Sequence, residues 1–221
     1  MKLTLLFADE IKGFYKSKLM LVLWIGLPII ALLFRFVQTT STGQDIPFTV
    51  ISTIVVSSLA GTLSSVMLAV SIINEKNRNV YTLFLIRPLK RRELLLAKFL
   101  SVYSCVTIAS FLAVLVGMTT DYITTTALSA ALIDNTVQSL VTSLSILAVS
   151  CAAGLLIGVA SPTVTVGAIL VIYGGNQISV LPLLPTILNI TYATLFTTAI
   201  ALLTCSLLLI VAIGLFERKQ F

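Results

Sequence analysis

The chain alternates between long apolar runs and short polar stretches, and most of the runs have the length of a membrane span. A helix needs about 20 mainly apolar residues to cross the hydrocarbon core of a bilayer. The runs are Leu19–Val37, Phe48–Ile73, Leu94–Met118, Val137–Val159, Thr163–Leu181 and Tyr192–Phe216. The fifth is the weakest. Because backbone groups in lipid must be hydrogen-bonded within their own segment, each run is expected to be helical. The pattern predicts an all-α membrane protein with six transmembrane helices in one domain, residues 1–221.

Residues 1–18 are too polar for a span but repeat like one face of a helix. Leu3, Phe7, Ile11 and Phe14 are spaced by four, four and three residues, which places them on one side of a helix. This pattern predicts an amphipathic helix that lies in the membrane interface. The alternative is a charged flank that only fixes the topology.

Residues 174–190 interrupt the apolar pattern between the fifth and sixth runs. The sequence there is GGNQISVLPLLPTILNI. Gly174 and Gly175 come within the fifth run, and Pro182 and Pro185 each favour the end or a kink of a helix. An irregular outer or re-entrant element is predicted, with a plain outer loop as the alternative.

Small residues recur at intervals of four in the second and fourth runs. The candidate positions are Ser57, Gly61, Ser65, Gly154 and Gly158. Rows of small side chains let helices approach closely in lipid. Helix packing is the preferred interpretation, and lining of a substrate path is the alternative.

Charge is scarce and unevenly placed. Charged residues make up 10% of the chain, against about 25% in soluble domains. In the six-span arrangement thirteen of the 14 Lys and Arg residues fall on one side, and Arg35 alone falls on the other. Because Lys and Arg concentrate in cytoplasmic segments, we expect a multi-pass protein of the cell membrane with both termini and the 74–93 loop in the cytoplasm.

Several kinds of chemistry are disfavoured by what the sequence lacks. The chain has no histidine and no GxxxxGK[ST] phosphate-binding motif, so neither an imidazole base nor a P-loop ATPase site is present. The acidic residues avoid the middle of the predicted spans, where ion-coupled transporters usually hold such groups. We therefore expect no catalytic, cofactor-binding or metal-binding residues on this chain, and an energy source on another subunit.

The 74–93 loop carries more pattern than a topology signal needs. Half of the Lys and Arg residues, seven of 14, lie between Lys76 and Lys98. The loop also contains a proline and two acidic residues. In sequence order the patterned residues are Glu75, Pro88, Arg91 and Glu93, followed by Lys98. This order resembles the E-x-E-x-G-T, P-x-x-R-x-E-x-x-x-x-K pattern after the second span of ABC-2 type exporter permeases. The family's Gly-Thr pair is Asn79-Val80 here, and its second Glu is Asn77.

The resemblance implies a permease that works with separate ATPase subunits. Two copies of an ABC ATPase, carrying ATP and magnesium, would dock below a pair of permeases, identical or related, in the lipid bilayer, and no nucleic acid is involved. The 76–87 segment would be a coupling helix within the 74–93 loop. The polar contacts to the ATPase would come from Glu75, Arg78 and Arg87, and the apolar ones from Tyr81 and Phe84. The rest of the implied coupling site would be Pro88, Arg91 and Glu93.

Three alternatives stay open at this point. A related one is the B subunit of the cytochrome c maturation system, which is also a six-span protein that works with an ATPase. A secondary transporter or channel without ATP would be expected to show buried ionisable groups or inverted repeats. A structural assembly factor would use the small-residue rows only to hold a complex together.

Overall fold

The computed structural model describes residues 2–15, 18–38, 48–77, 91–125, 130–188 and 193–218. These residues form helices joined by short turns, and the described part of the chain contains no strand. The α-helices are α1 (Lys2–Tyr15), α2 (Lys18–Gln38), α3 (Phe48–Asn77), α4 (Arg91–Thr125), α5 (Ala130–Ala160), α6 (Val164–Leu170), α7 (Asn176–Ser179), α8 (Leu184–Ile187) and α9 (Ala193–Arg218).

Five helical stretches of the described chain are long and apolar enough to cross a membrane. They are Thr53–Asn77, Arg92–Thr120, Ile133–Ala160, Val164–Thr186 and Ala193–Arg218. The first predicted span lies within α2, whose apolar stretch of described side chains, Met20–Leu33, is shorter than the about 20 residues that a crossing needs. The structure therefore shows an all-α, multi-pass membrane fold, and the sixth crossing stays a prediction.

The helix α5 is the centre of the bundle. It packs along α3 on one side and along α9 on the other. The helix α4 packs against α3 and also carries α1 and α2 on its outer surface. A large share of the side chains of α9 points away from the bundle, as expected for a helix that faces lipid.

The fifth predicted span continues through its glycine pair instead of stopping there. The helix α6 begins after Thr163, whose hydroxyl oxygen accepts a hydrogen bond from the backbone N–H of Val166 at 3.5 Å. Gly174 and Gly175 lie in a π-helical turn, Val171–Gly175, that continues directly into α7. A 3₁₀ turn, Leu181–Leu183, and α8 follow. The predicted irregularity therefore takes the form of wide and tight helical turns, and its depth in the membrane stays a prediction.

Segments that are distant in the sequence meet at one end of the bundle. The end of α3 approaches the turn after α5, the beginning of α4 contacts the end of α9, and α1 lies against α4. The candidate site is built at this end, which also holds both flanks of the predicted coupling loop.

Candidate functional site at one end of the bundle

A buried lysine binds two carboxylates where α1, α3 and α4 meet. Lys98 Nζ lies 2.8 Å from Glu10 Oε1 and 2.6 Å from Glu75 Oε1. The Lys98 side chain is 3% exposed, and each glutamate side chain is 25% exposed. We call Glu10, Glu75 and Lys98 the Lys98 cluster. It joins three helices through one ammonium group.

Local helix geometry places each member of the Lys98 cluster. Glu75 lies in the last turn of α3, and Lys98 lies about two turns into α4,. The neighbours of Lys98 one turn earlier on α4, Leu94 and Leu95, are buried like Lys98 itself, so the ammonium group is held in a largely apolar part of the helix. The Ser71 hydroxyl, one turn before Glu75, donates a further hydrogen bond to Glu75 Oε1 at 3.4 Å.

The cluster carries one more negative than positive charge. Two carboxylates face one ammonium group, which gives a formal charge of −1 when all three are ionised. Glu75 Oε2 is buried and has no hydrogen-bond partner among the described residues, and the same holds for Glu93 Oε2, five positions before Lys98 on α4. Because a charge that loses its partner in a low-dielectric site is costly, the three helices are expected to stay together when any one of them moves.

Two further contacts tie this end of the bundle together. Arg92 Nε of α4 lies 2.9 Å from Glu217 Oε1 of α9, and both side chains are exposed. Lys76 Nζ of α3 donates to the carbonyl oxygen of Ser161 at 3.4 Å, in the turn between α5 and α6. The exposed ion pair contributes little to stability, but both contacts show which segments lie together at this end.

The predicted coupling residues fall partly outside the described chain. Glu75 and Glu93 are described, and Arg91 begins α4, with its side chain outside the description. Five more lie outside the described residues altogether, and they are Arg78, Tyr81, Phe84, Arg87 and Pro88. The structure thus brings together the two flanks of the loop, Glu75 and Lys98, and the contacts of the loop itself stay predictions.

The small-residue rows of α3 and α5 face each other. A methyl group at Gly154 would lie 2.5 Å from the Ser65 carbonyl oxygen, and one at Gly158 would lie 2.9 Å from Ala69 Cα. A methyl group at Gly61 would lie 2.8 Å from Ser150 Oγ. Such distances leave no space for a substrate between these two helices, so the geometry fits the packing interpretation.

Ser57, at the start of the same α3 row, is also buried, and its hydroxyl donates within its own helix. The acceptor is the Ile54 carbonyl oxygen at 2.8 Å. A serine that satisfies its own hydroxyl in this way adds little polarity to a helix surface. Its position is compatible with packing.

Sequence reasoning missed Glu10, although a signal for it was present. Glu10 follows Phe7 by three residues and precedes Phe14 by four, so it lies on the apolar face of α1 and not on the charged face. A carboxylate on an apolar face calls for a buried cationic partner. Lys98, which the loop pattern already contained, is that partner.

Comparisons with known proteins add no relative to this picture. No protein-family model matches the chain, and no curated protein matches it.

Proposed function

We propose that this chain is the membrane-spanning permease subunit of an ATP-driven ABC-2 type exporter. The observation that carries the proposal is the contact between Glu75 and Lys98, 2.6 Å apart. These residues are the first and last positions of the loop pattern that resembles the ABC-2 permeases. Glu75 lies at the beginning of the 74–93 loop, and Lys98 lies just beyond its end. A loop held by a buried ion pair at its base is suited to transmit force into the bundle.

The mechanism follows from the rigidity of that base. ATPase subunits below the membrane would close on ATP and displace the loop. Because separating Lys98 from its carboxylates is costly, the displacement would move α3 and α4 together. Glu10 would carry the same motion into α1, and α5 would follow through its tight contact with α3 at Gly154.

The proposal fixes the partners and the location. Two ATPase subunits would supply ATP hydrolysis with magnesium, and a second permease, identical or related, would complete the path. The chain would lie in the cell membrane with six spans and with the Lys98 cluster at the cytoplasmic end. The concentration of Lys and Arg around the 74–93 loop supports this orientation,.

A second candidate function is a transporter that works without ATP, and one observation favours it. Ion-coupled transporters retain buried ionisable groups, and the Lys98 cluster is such a group,. Its position argues for the first candidate, however. Lys98 lies about two turns from the beginning of α4 and Glu75 lies in the last turn of α3, so the cluster is at the end of the spans, whereas coupling sites lie near the bilayer midplane.

Purification from native membranes separates the two candidates. A tagged chain, extracted in mild detergent, is expected to bring with it a soluble subunit that contains P-loop motifs and hydrolyses ATP. The Phe84→Ala variant, with Glu75→Ala added in a second step, is expected to weaken this association severalfold. The matched control is Asp134→Asn, because Asp134 is exposed near the beginning of α5, at the opposite end of that helix from the turn at Ser161.

The outcomes point in different directions. If the chain carries no ATPase, and reconstituted vesicles show transport driven by an ion gradient alone, the second candidate replaces the first. If an ATPase is present but the Phe84→Ala/Glu75→Ala variant retains association and transport, the chain is a permease and the coupling assignment of the 74–93 loop is wrong. Thermal unfolding of each variant shows whether the bundle itself is intact.

A further inference from the structure

A groove opens between α1, α2 and α3, beside the Lys98 cluster. It has a volume of about 380 Å³. Phe14 of α1 and Leu23 of α2 contribute to its buried wall, and one face of α3 from Leu63 to Asn74 lines its length. Val22 and Leu63, at its border, are 66% and 50% exposed, so the groove opens sideways, out of the bundle.

Two strong contacts hold the helices on either side of the groove. Both α2 and α3 pack against α4, and the indole N–H of Trp24 on α2 donates to the Cys105 carbonyl oxygen of α4 at 3.3 Å. In addition, α3 is fitted against α5, where Gly154 faces Ser65 without space for a methyl group. These contacts fix the two helices, and the groove lies between their lining residues.

The dimensions select a narrow occupant. From Leu63 to Asn74 the groove follows α3 over a rise of eleven residues, which is about 16 Å at 1.5 Å per residue. A helix segment of that length, about 10–12 Å across, occupies roughly 1,300–1,800 Å³. The groove is much smaller than that, so it cannot enclose a helix of a second copy, and a slender apolar chain is the better match.

The polar side chains of the groove are at one end. Along α3 the lining is apolar from Leu63 to Val70, and the last two lining residues are Ser71 and Asn74. The Ser71 hydroxyl also donates to Glu75 Oε1 at 3.4 Å, which connects this end of the groove to the Lys98 cluster. An occupant with an apolar tail and a polar end matches both the lining and its direction.

We propose that the groove binds one acyl chain of a membrane lipid, with the methyl end near Leu63 and the polar end beside Ser71 and Asn74. The acyl chain enters from the lipid phase through the open side of the groove at Val22. Its polar part meets the hydroxyl of Ser71 and the amide of Asn74 at the level of the Lys98 cluster. This site does not depend on the ATPase, so it stands or falls separately from the exporter function.

The test uses photoactivatable phospholipids and the full chain alone, reconstituted without nucleotide. Phosphatidylcholine vesicles carry a diazirine either at the methyl end or near the carboxyl end of one acyl chain, and peptides labelled after irradiation are mapped by mass spectrometry. We expect the methyl-end probe to label the region of Leu63 and the carboxyl-end probe the region of Asn74. Both regions of α3 are expected to be labelled at least five times more strongly than the lipid-facing surface of α9 at Leu203, which is 69% exposed.

Two variants sharpen the test. Val70→Phe fills the middle of the groove and is expected to reduce labelling of α3 at least fivefold, while the matched control Leu203→Phe leaves it unchanged. If Val70→Phe does not fold, the regions that the two probes label on the unchanged chain decide the question.

Two results would show only annular lipid and overturn the proposal. One is equal labelling of α3 and α9. The other is labelling in which the methyl-end and carboxyl-end probes do not separate between the regions of Leu63 and Asn74. A disulfide-linked dimer of the Leu63→Cys variant, at the expense of lipid labelling, would show a second copy in the groove and also overturn it.

Discussion

Glu10 Oε1 lies 2.8 Å from Lys98 Nζ, although the two residues are separated by 88 positions in the chain. Glu10 occupies the apolar face of α1, between Phe7 and the buried Phe14. An unpaired carboxylate on such a face is unfavourable away from water. The ion pair removes that cost only when Glu10 lies beside Lys98 on α4. It therefore determines the position of α1 along the bundle and also stabilises α1 in that position.

Removal of the cation is expected to destabilise the bundle strongly. Lys98→Met keeps the length of the side chain but leaves Glu10 and Glu75 facing each other without a positive charge. The expected loss is about 3–5 kcal/mol, as for other buried ion pairs from which one partner is removed. Thermal unfolding in detergent can be followed by the fluorescence of Trp24, the single tryptophan of the chain.

The matched control for Lys98→Met lies on the same helix. Arg92 also forms an ion pair, with Glu217 at 2.9 Å, but its side chain is 63% exposed. Arg92→Met is expected to cost about 0–1 kcal/mol. Equal losses for the two variants would mean that burial adds nothing to the Lys98 cluster.

Neutralising the whole cluster is expected to recover much of the stability that Lys98→Met loses. In the variant Glu10→Gln/Glu75→Gln/Lys98→Met no charge is left without a partner, and replacing a complete buried ion cluster by neutral residues is often close to neutral. We expect at least half of the lost unfolding temperature to return. If the triple variant is as unstable as Lys98→Met, the lost stability does not come from carboxylates that are left without a cation.

Local patterns were enough to predict the helices but not the contacts between them. The apolar run from Leu94 onwards lies within α4, as its hydropathy indicates, because a span is defined by residues that are consecutive in sequence,. The pairing of Glu10 with Lys98 depends on how α1 docks, and no local pattern specifies that. Glu10 could have been recognised as misplaced on its apolar face, but its partner could not have been identified from spacing alone. The glycine pair at Gly174 predicted an interruption, whereas the backbone absorbs it as a π-helical turn.

Glycine-to-alanine changes are expected to have opposite effects inside and outside the contact between α3 and α5. At Gly154 the added methyl group would lie 2.5 Å from the Ser65 carbonyl oxygen, so the helices must separate. Overpacking of this kind costs about 1–3 kcal/mol. At Gly214 of α9 no atom of the described residues lies within 4 Å of the added group, and alanine is favoured over glycine in a helix by up to about 1 kcal/mol.

Unfolding temperatures of the two alanine variants test this contact directly. Gly154→Ala is expected to unfold at a lower temperature than the unchanged chain, and Gly214→Ala at the same or a higher temperature. A decrease for both would show that glycine is needed for helix flexibility in general. No decrease for Gly154→Ala would show that α3 and α5 do not approach as closely in the membrane as they do in this structure.

The two ends of α4 should be accessible from opposite sides of the membrane. The concentration of basic residues around Arg92 predicts that the Arg92 end faces the cytoplasm. Arg92 and Tyr122 are both exposed and are separated by 30 residues of one helix, about 45 Å at 1.5 Å per residue, which exceeds the about 30 Å of a hydrocarbon core. In a chain with Cys105, Cys151 and Cys205 replaced by alanine, Tyr122→Cys is expected to react with an impermeant maleimide in intact cells. Arg92→Cys is expected to react only after permeabilisation. The reverse pattern would place the Lys98 cluster outside the cell, and reaction of both cysteines in intact cells would show that α4 does not cross the membrane.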